Sequence, residues 1–153
     1  MNKTLSVSAI ENGTVIDHIT AGNALKIIRL LRLPEKDRQV TVGLNLKSHA
    51  MGRKDLIKVE DHEVTEEEAG RIAILTPRAT INIIKKFAVK KKFIVQIPER
   101  IDRVLVCPNH TCITNHEKMS TSFLIHPFKK EFHLACRYCE RIFLKDEITD
   151  YRT

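Results

Sequence analysis

Four cysteines crowd into the last third of the chain, and no other segment carries one. Cys107 and Cys112 form a C-x4-C pair, a gap of 23 residues follows, and Cys136 and Cys139 form a C-x2-C pair. Two close pairs separated by a long gap let two tight turns meet face to face and surround one Zn²⁺ with four sulfurs in a tetrahedron. A catalytic zinc keeps one position for water, whereas four sulfurs leave none. One structural zinc ion per chain is therefore expected. Two disulfides, or a redox pair at Cys136 and Cys139, are the alternatives; a redox pair leaves Cys107 and Cys112 without a purpose. His110 and His133 are near enough in sequence to allow mixed ligation, but the sulfurs suffice, and both are read as surface or loop residues.

The rest of the chain needs its own explanation. At 153 residues, 42% hydrophobic and 29% charged, it has room for one ordinary domain or two small ones and the composition of a folded protein. No apolar run approaches the ~18 residues that span a bilayer. Met1 to Ser6 has neither an apolar core nor a cleavage site, so a secretory signal is not expected. A reducing, cytoplasmic setting follows, and there paired cysteines favour metal over disulfide. The net charge of +7 is unevenly placed: Met1 to Ile97 holds 17 basic and 11 acidic residues, and Pro98 to Thr153 holds 9 and 8. A zinc ribbon that grips nucleic acid should carry a basic face of its own. The near-neutral cysteine segment argues against that reading, and no membrane or nucleic-acid partner is expected.

Leu5 to Ile10 alternates with a period of two and reads as a strand; Glu11-Asn12-Gly13 supplies a turn, and Thr14 to Ile19 the returning strand. Asn23 to Leu33 reads as a helix, with Leu25, Ile28 and Leu31 at helical spacing and Pro34 as its stop. Gln39 to Leu46 alternates, with Val40, Val42, Leu44 and Leu46 on one face. Asp55 to Glu60 is a further strand. Thr65 to Glu68 fits a capping box for a helix that runs to about Leu75. Ala79 to Ile84 and Phe87 to Val95 complete the first part. This order predicts an α+β domain over residues 1–97, a mainly antiparallel sheet with two helices on one face (ferredoxin-like) and the other face left for water or a partner. A linker is expected around Ile97 to Arg100. Residues 98–153 should form a small all-β, zinc-ribbon-like domain, with short strands at Val104 to Val106, Ser122 to Ile125 and Phe132 to Ala135 leading to the metal turns. So little apolar surface needs a metal to hold it.

The chain has no phosphate-cradling glycine loop, no G-x-S-x-G and no cysteine nucleophile in its first part. The Asp17-His18 pair could do acid–base work, but a hydrogen-bonded strand end is the plainer reading. A free-standing enzyme of nucleotide metabolism therefore has little support. Lys54 and Lys58 fall on one face of a strand, about 13 Å apart at Cα. Their flexible ammonium arms can converge on one polyphosphate, and Lys90-Lys91-Lys92 adds charge on a later strand. A plain solvated lysine face is the competing reading.

Several stretches, taken together, point further: Gly13-Thr14-Val15-Ile16-Asp17-His18-Ile19, Gly43-Leu44-Asn45-Leu46, Met51-Gly52-Arg53-Lys54-Asp55-Leu56-Ile57-Lys58, Pro77-Arg78-Ala79-Thr80-Ile81-Asn82, and Pro98-Glu99-Arg100-Ile101-Asp102 running into Val104-Leu105-Val106-Cys107-Pro108-Asn109. In this order and with these cysteine gaps, the chain resembles the regulatory chain of aspartate carbamoyltransferase over nearly its whole length. The resemblance implies a non-catalytic allosteric subunit in pyrimidine biosynthesis. Its N-terminal domain would bind ATP and CTP, with UTP a further candidate, and pair with a second regulatory chain. Its zinc domain would dock on a separate catalytic chain, in an assembly of two catalytic trimers bridged by three regulatory dimers. Carried over by position, the effector pocket falls on Ala9, Ile10, Val15, Asp17, His18, Lys54, Lys58, Asn82, Ile84, Val89 and Lys92. By the same analogy Lys92 faces phosphates, while Ile10, Asn82 and Val89 lie near base and sugar. Ser8 stands where a familiar member has glutamate, Phe87 where it has tyrosine, and Thr111 where it has asparagine.

Overall fold

The computed structural model describes residues 9–33 and 37–152. The chain divides into two compact units between Gln96 and Ile97. The first contains β1 (Gly13–Thr20), α1 (Ala24–Leu31), β2 (Val40–Ser48), β3 (Gly52–Glu60), α2 (Glu66–Leu75), β4 (Thr80–Lys85) and β5 (Ala88–Ile94). Its strands form one antiparallel sheet in the order β2-β3-β1-β4-β5. The path β1-α1-β2-β3-α2-β4 is the split βαβ arrangement, and β5 is added at the edge by a hairpin. The strand expected over Leu5 to Ile10 lies mostly outside the described residues; Ala9 and Ile10, which are described, are not in a strand.

Alternation along the strands separates two faces. Ile16, Ile57, Val59, Ile81 and Ile83 are buried on one face, and Ile27 of α1 and Ile72 of α2 are fully buried as well. Val15, Lys54, Leu56, Lys58 and Asn82 point the other way and are only half-buried. Helix α2 starts on the capping box read from the sequence: Glu68 N–H donates to Thr65 Oγ1 at 3.2 Å, and Thr65 N–H donates to Glu68 Oε2 at 2.9 Å. Gly13 has φ +142°, and a Cβ there would lie 2.0 Å from the Val59 carbonyl oxygen. Only glycine lets β1 begin against β3 at this point.

Two expectations change. In α1 the buried residues are Ala24, Ile27, Leu30 and Leu31, and Leu25 is 60% exposed. Apolar residues occur on more than one side of this helix, and contact with the sheet and α2 selects the Ala24-Ile27-Leu31 side. In β2 the alternation breaks at a bulge between Gly43 and Leu46, with Asn45 at φ 56°. The extra residue turns Leu44 out to 52% exposure.

Asp55 is the reason both features hold. It is 1% exposed, and its carboxylate accepts the N–H groups of Asn45 at 2.8 Å, Gly22 at 2.9 Å and Ala24 at 3.1 Å. One side chain on β3 thus caps the start of α1 and closes the β2 bulge. Asp55→Ala leaves three backbone donors, one buried at Ala24 and two part-buried at Gly22 and Asn45, without this acceptor. Each such donor costs about 1–3 kcal/mol, so the N-terminal unit should lose about 3 kcal/mol in urea denaturation followed by circular dichroism. A loss smaller than about 1 kcal/mol would show that other acceptors replace the carboxylate.

The second unit has β6 (Arg100–Asp102), β7 (Ser122–Phe128), β8 (Glu131–Cys136) and β9 (Ile142–Leu144) in one antiparallel sheet of that order. Ile101, Phe123, Ile125, Phe132, Leu134 and Phe143 line its buried face. The strand expected at Val104 to Val106 is absent; Leu105 makes a single bridge to Tyr151. The edge strand instead takes Arg100–Asp102, which the sequence reading placed in and after the linker. Arg152 fastens the end of the chain, donating from Nη1 to the Met119 carbonyl at 2.6 Å and from Nη2 to that of Thr114 at 2.8 Å. No described helix is long and apolar enough to cross a membrane.

Candidate functional site

The four cysteines converge. Cys112 closes a turn by donating its N–H to the Asn109 carbonyl at 2.9 Å. Cys136 ends β8, and the turn that follows is shut by Glu140 N–H on the Cys136 carbonyl at 2.9 Å. Asn115 Nδ2 braces the first loop through the carbonyls of Cys107 and Asn109 at 3.0 and 2.8 Å. All four sulfurs lie within 4.8 Å of one another, with 3.8 Å between those of Cys107 and Cys139 and 3.8 Å between those of Cys112 and Cys136. Sulfurs about 2.3 Å from a tetrahedral zinc stand about 3.8 Å apart, so the donor set has the right size for that ion. A disulfide needs about 2.05 Å, and the four cysteines are free thiols.

The cluster contains no histidine. His116 approaches the His110 carbonyl at 2.8 Å, and the His133 ring stacks on Phe128. Burial pushes the Cys107 and Cys136 thiols up. Burial acts the same way on Cys139, but the Arg141 N–H, the Asn109 side chain and the neighbouring thiols outweigh it and bring Cys139 down to about 7. It is readier than Cys107 or Cys136 to present a thiolate.

The second constellation lies on the uncovered face of the N-terminal sheet. Register places Thr41, Lys58, Val15, Asn82 and Lys92 in one row across five strands. Direct cross-strand partners share a face, so Lys58 and Lys92 stand on the same side with Val15 and Asn82 between them. Asn82 Nδ2 donates to the Val15 carbonyl at 3.4 Å. Farther along β1 a second bulge, between Ile16 and Ile19, sets His18 at φ 55°. That kink brings the His18 N–H within 2.6 Å of Asp17 Oδ1 and the His18 ring within 3.3 Å of Thr80 Oγ1. Lys54 Nζ meets Asp17 Oδ1 at 2.8 Å.

Asp17 therefore sits among cations. Burial pushes its carboxyl up, but the Lys54 hydrogen bond, the His18 N–H and the charges of Lys54 and His18 prevail and hold it below its ordinary value. Burial lowers Lys58, and the attraction of Asp17 only partly offsets this. Ile84 pairs with Gly13 on one side and Val89 on the other. Ile84 is buried and Val89 is 58% exposed. Ala9 is exposed and Ile10 buried in the stretch before β1. That stretch is tied to the β4–β5 turn, where Phe87 N–H donates to the Glu11 carbonyl at 2.9 Å and Lys86 N–H to Asn12 Oδ1 at 3.2 Å.

From the residues alone both lysines stand out while Asp17-His18 reads as an isolated pair; the family resemblance is what sets all four in one pocket. Asp17 is the carboxylate that pairs with Lys54 and attracts Lys58, and Thr80 is a neighbour of the His18 ring. Nothing local signals either contact, because both depend on strand register. A carboxylate paired with the Lys54 ammonium, with Lys58 on the same face and Lys92 in its row across the sheet, makes a face with a surplus of positive charge, suited to a multiply charged anion.

Residues 5–96 match the family described as aspartate carbamoyltransferase regulatory chain, allosteric domain, and residues 99–149 match the metal binding domain of the same chain. The chain is 43% identical to the aspartate carbamoyltransferase regulatory chain of Chromobacterium violaceum, over 99% of this chain and 100% of that one. It is 45% identical to that of Aliivibrio fischeri, over 97% of each. With that of Vibrio campbellii it shares 42% identity over 95% of each.

Proposed function

From the premise that this chain belongs to the family of aspartate carbamoyltransferase regulatory chains, we propose that its first unit senses nucleoside triphosphates and its second docks on the catalytic chain. The chain is a non-catalytic subunit with an allosteric and a metal-binding domain. The single observation that carries the sensing role is the half-buried face where Asp17 pairs with Lys54 and influences Lys58. Ammonium groups would hold the phosphates there. No glycine loop is present to position a triphosphate for hydrolysis, so the ligand is read and released unchanged. Residues 9, 10, 15, 17, 18, 54, 58, 82, 84, 89 and 92 form the proposed pocket.

Cys107, Cys112, Cys136 and Cys139 would hold one Zn²⁺, which supplies rigidity rather than reactivity. The size of the sulfur tetrahedron supports zinc, and a reducing cytoplasm suits free thiols. The partners are then a catalytic chain and a second regulatory chain, in a closed assembly with six copies of each.

A nucleotide alters activity on another polypeptide only if it binds one quaternary state better than the other. Such couplings are typically about 1–3 kcal/mol, or roughly 5- to 150-fold. CTP and ATP would compete for one charged face and differ in the packing they set around it. The test is to mix the chain with a candidate catalytic chain, isolate the complex and record aspartate saturation with and without CTP and ATP. Displaced curves are expected. Superimposed curves from an intact complex would refute the sensing role, and failure to form a complex would refute the docking role.

A further inference from the structure

Two histidines on the C-terminal sheet belong to neither constellation. His126 on β7 and His133 on β8 are direct register partners. The neighbours of His126 and His133 in their strands, Ile125, Phe132 and Leu134, are buried on the opposite side, so both imidazoles stand on the open face. His126 is exposed and His133 half-buried. Among the described residues no hydrogen bond or ion pair engages either ring; the one ring contact is Phe128 on His133, with centroids 4.1 Å apart and planes 24° apart. By contrast, the His62 ring is engaged by Glu68 and that of His116 by a carbonyl.

We propose that His126 and His133 form a second, exchangeable cation site that takes a borderline divalent ion such as Ni²⁺ or Zn²⁺. Direct cross-strand partners hold their Cβ atoms about 4.5–5.5 Å apart. Imidazole nitrogens bind such ions at about 2.0–2.1 Å, which sets the two nitrogens about 3 Å from each other. Side chains that start about 5 Å apart on one face can close to that separation. Imidazole suits nickel, copper and zinc rather than magnesium or calcium. The Phe128 stack covers one flat face of His133 and leaves the ring edge, where the nitrogens lie, free. It also limits the ring's rotation before an ion arrives, which lowers the entropy cost of ligation.

The surrounding charges are mixed, and Glu99 lines one cavity with His126 and Glu131. Glu131, opposite Phe128 and two residues before His133 on the same face, attracts a cation. Lys129, with its ammonium 5.4 Å from the Phe128 ring centroid, repels one. Arg100 lies opposite Leu124, one row farther away, and Leu144, opposite His133 on β9, is uncharged. Two protein ligands leave the other positions to water, so the ion exchanges freely, unlike one enclosed by four sulfurs.

Titration of the zinc-loaded full chain with Ni²⁺, read by calorimetry with zinc release monitored by a chromogenic chelator, tests the site. One equivalent should bind without displacing zinc. Loss of a partner outside the ligand shell alone costs 10–100-fold in metal affinity, so His126→Ala and His133→Ala should each weaken binding by at least about tenfold. His49→Ala should leave it unchanged. Nickel should also broaden the ring proton resonances of His126 and His133 before those of the other histidines. The site is refuted if nickel uptake matches zinc release, if no nickel binds, or if His126→Ala binds as the parent does.

Discussion

Cys136→Ser will abolish the proposed four-sulfur zinc site and unfold the C-terminal unit while the N-terminal sheet persists. The reason is the balance between a small core and a strong clamp. That unit rests on a few large side chains, chiefly Leu105, Phe123, Phe132, Leu134 and Phe143, and two of its four strands are three residues long. A core of this size is marginal alone. A structural zinc contributes about 10–16 kcal/mol to folding in comparable small domains. Serine stays protonated where cysteine becomes thiolate, so the substitution removes an anionic ligand rather than exchanging one for another. Cys136 also joins the ends of two elements: it closes β8, and its N–H is bonded to the Arg141 carbonyl at 3.0 Å. Losing the clamp there releases the turn that carries Cys139 and, with it, the register of β9. Zinc content after gel filtration, together with sedimentation of the mixture with the catalytic chain, reads both effects. The mutant should carry far less than one zinc per chain and sediment apart from its partner. One zinc retained in an intact complex would contradict both the four-sulfur site and the docking role.

How much of this was legible beforehand depended on the range of each interaction. The cysteine pairs, the Thr65–Glu68 capping box and the shared face of Lys54 and Lys58 are set by residues within a few positions of one another, and the sequence displays them directly. Asp55 looks like an interruption in a strand until Gly22, Ala24 and Asn45 are folded around it. The β2 bulge exists because that buried carboxylate takes the Asn45 N–H, so no window around residue 45 could reveal it. The same holds for Asp17: its pairing with Lys54 follows from how β1 bulges at His18 against β3. In the C-terminal unit Val104-Leu105-Val106 has the composition of a strand, but its neighbour in space is a bridge at Tyr151, and the sheet edge goes to Arg100–Asp102. Periodicity found the elements, whereas pairing decided which residues of each element face one another.

If the first unit senses nucleoside triphosphates as proposed, Lys58→Ala will weaken CTP and ATP together and by similar factors. Lys58 stands on β3 beside the central strand, with Val15 its partner on β1 and Thr41 its partner on β2. Its half-buried position matters in two ways. Burial makes the charge costly to hold there, as its lowered pKa indicates, so the ammonium gains more from an anion than a fully solvated lysine would. Partial burial also limits screening by salt. A charge-assisted contact of this kind is worth about 1.5–3 kcal/mol, which corresponds to roughly ten- to more than a hundredfold in affinity. The triphosphate is the part that CTP and ATP share, so losing a phosphate ligand should leave their ratio nearly constant. A lysine that read the base would change that ratio instead. Lys90→Ala supplies the contrast: Lys90 is exposed on the edge strand and falls in the register break between the pairs Ile83–Lys91 and Ile84–Val89. Its removal should change affinity only a few-fold and mainly at low salt. Calorimetry of both nucleotides with both variants separates a phosphate-binding Lys58 from a lysine face that merely keeps the sheet soluble. Under the second reading neither variant would alter binding, and the proposed pocket would fall.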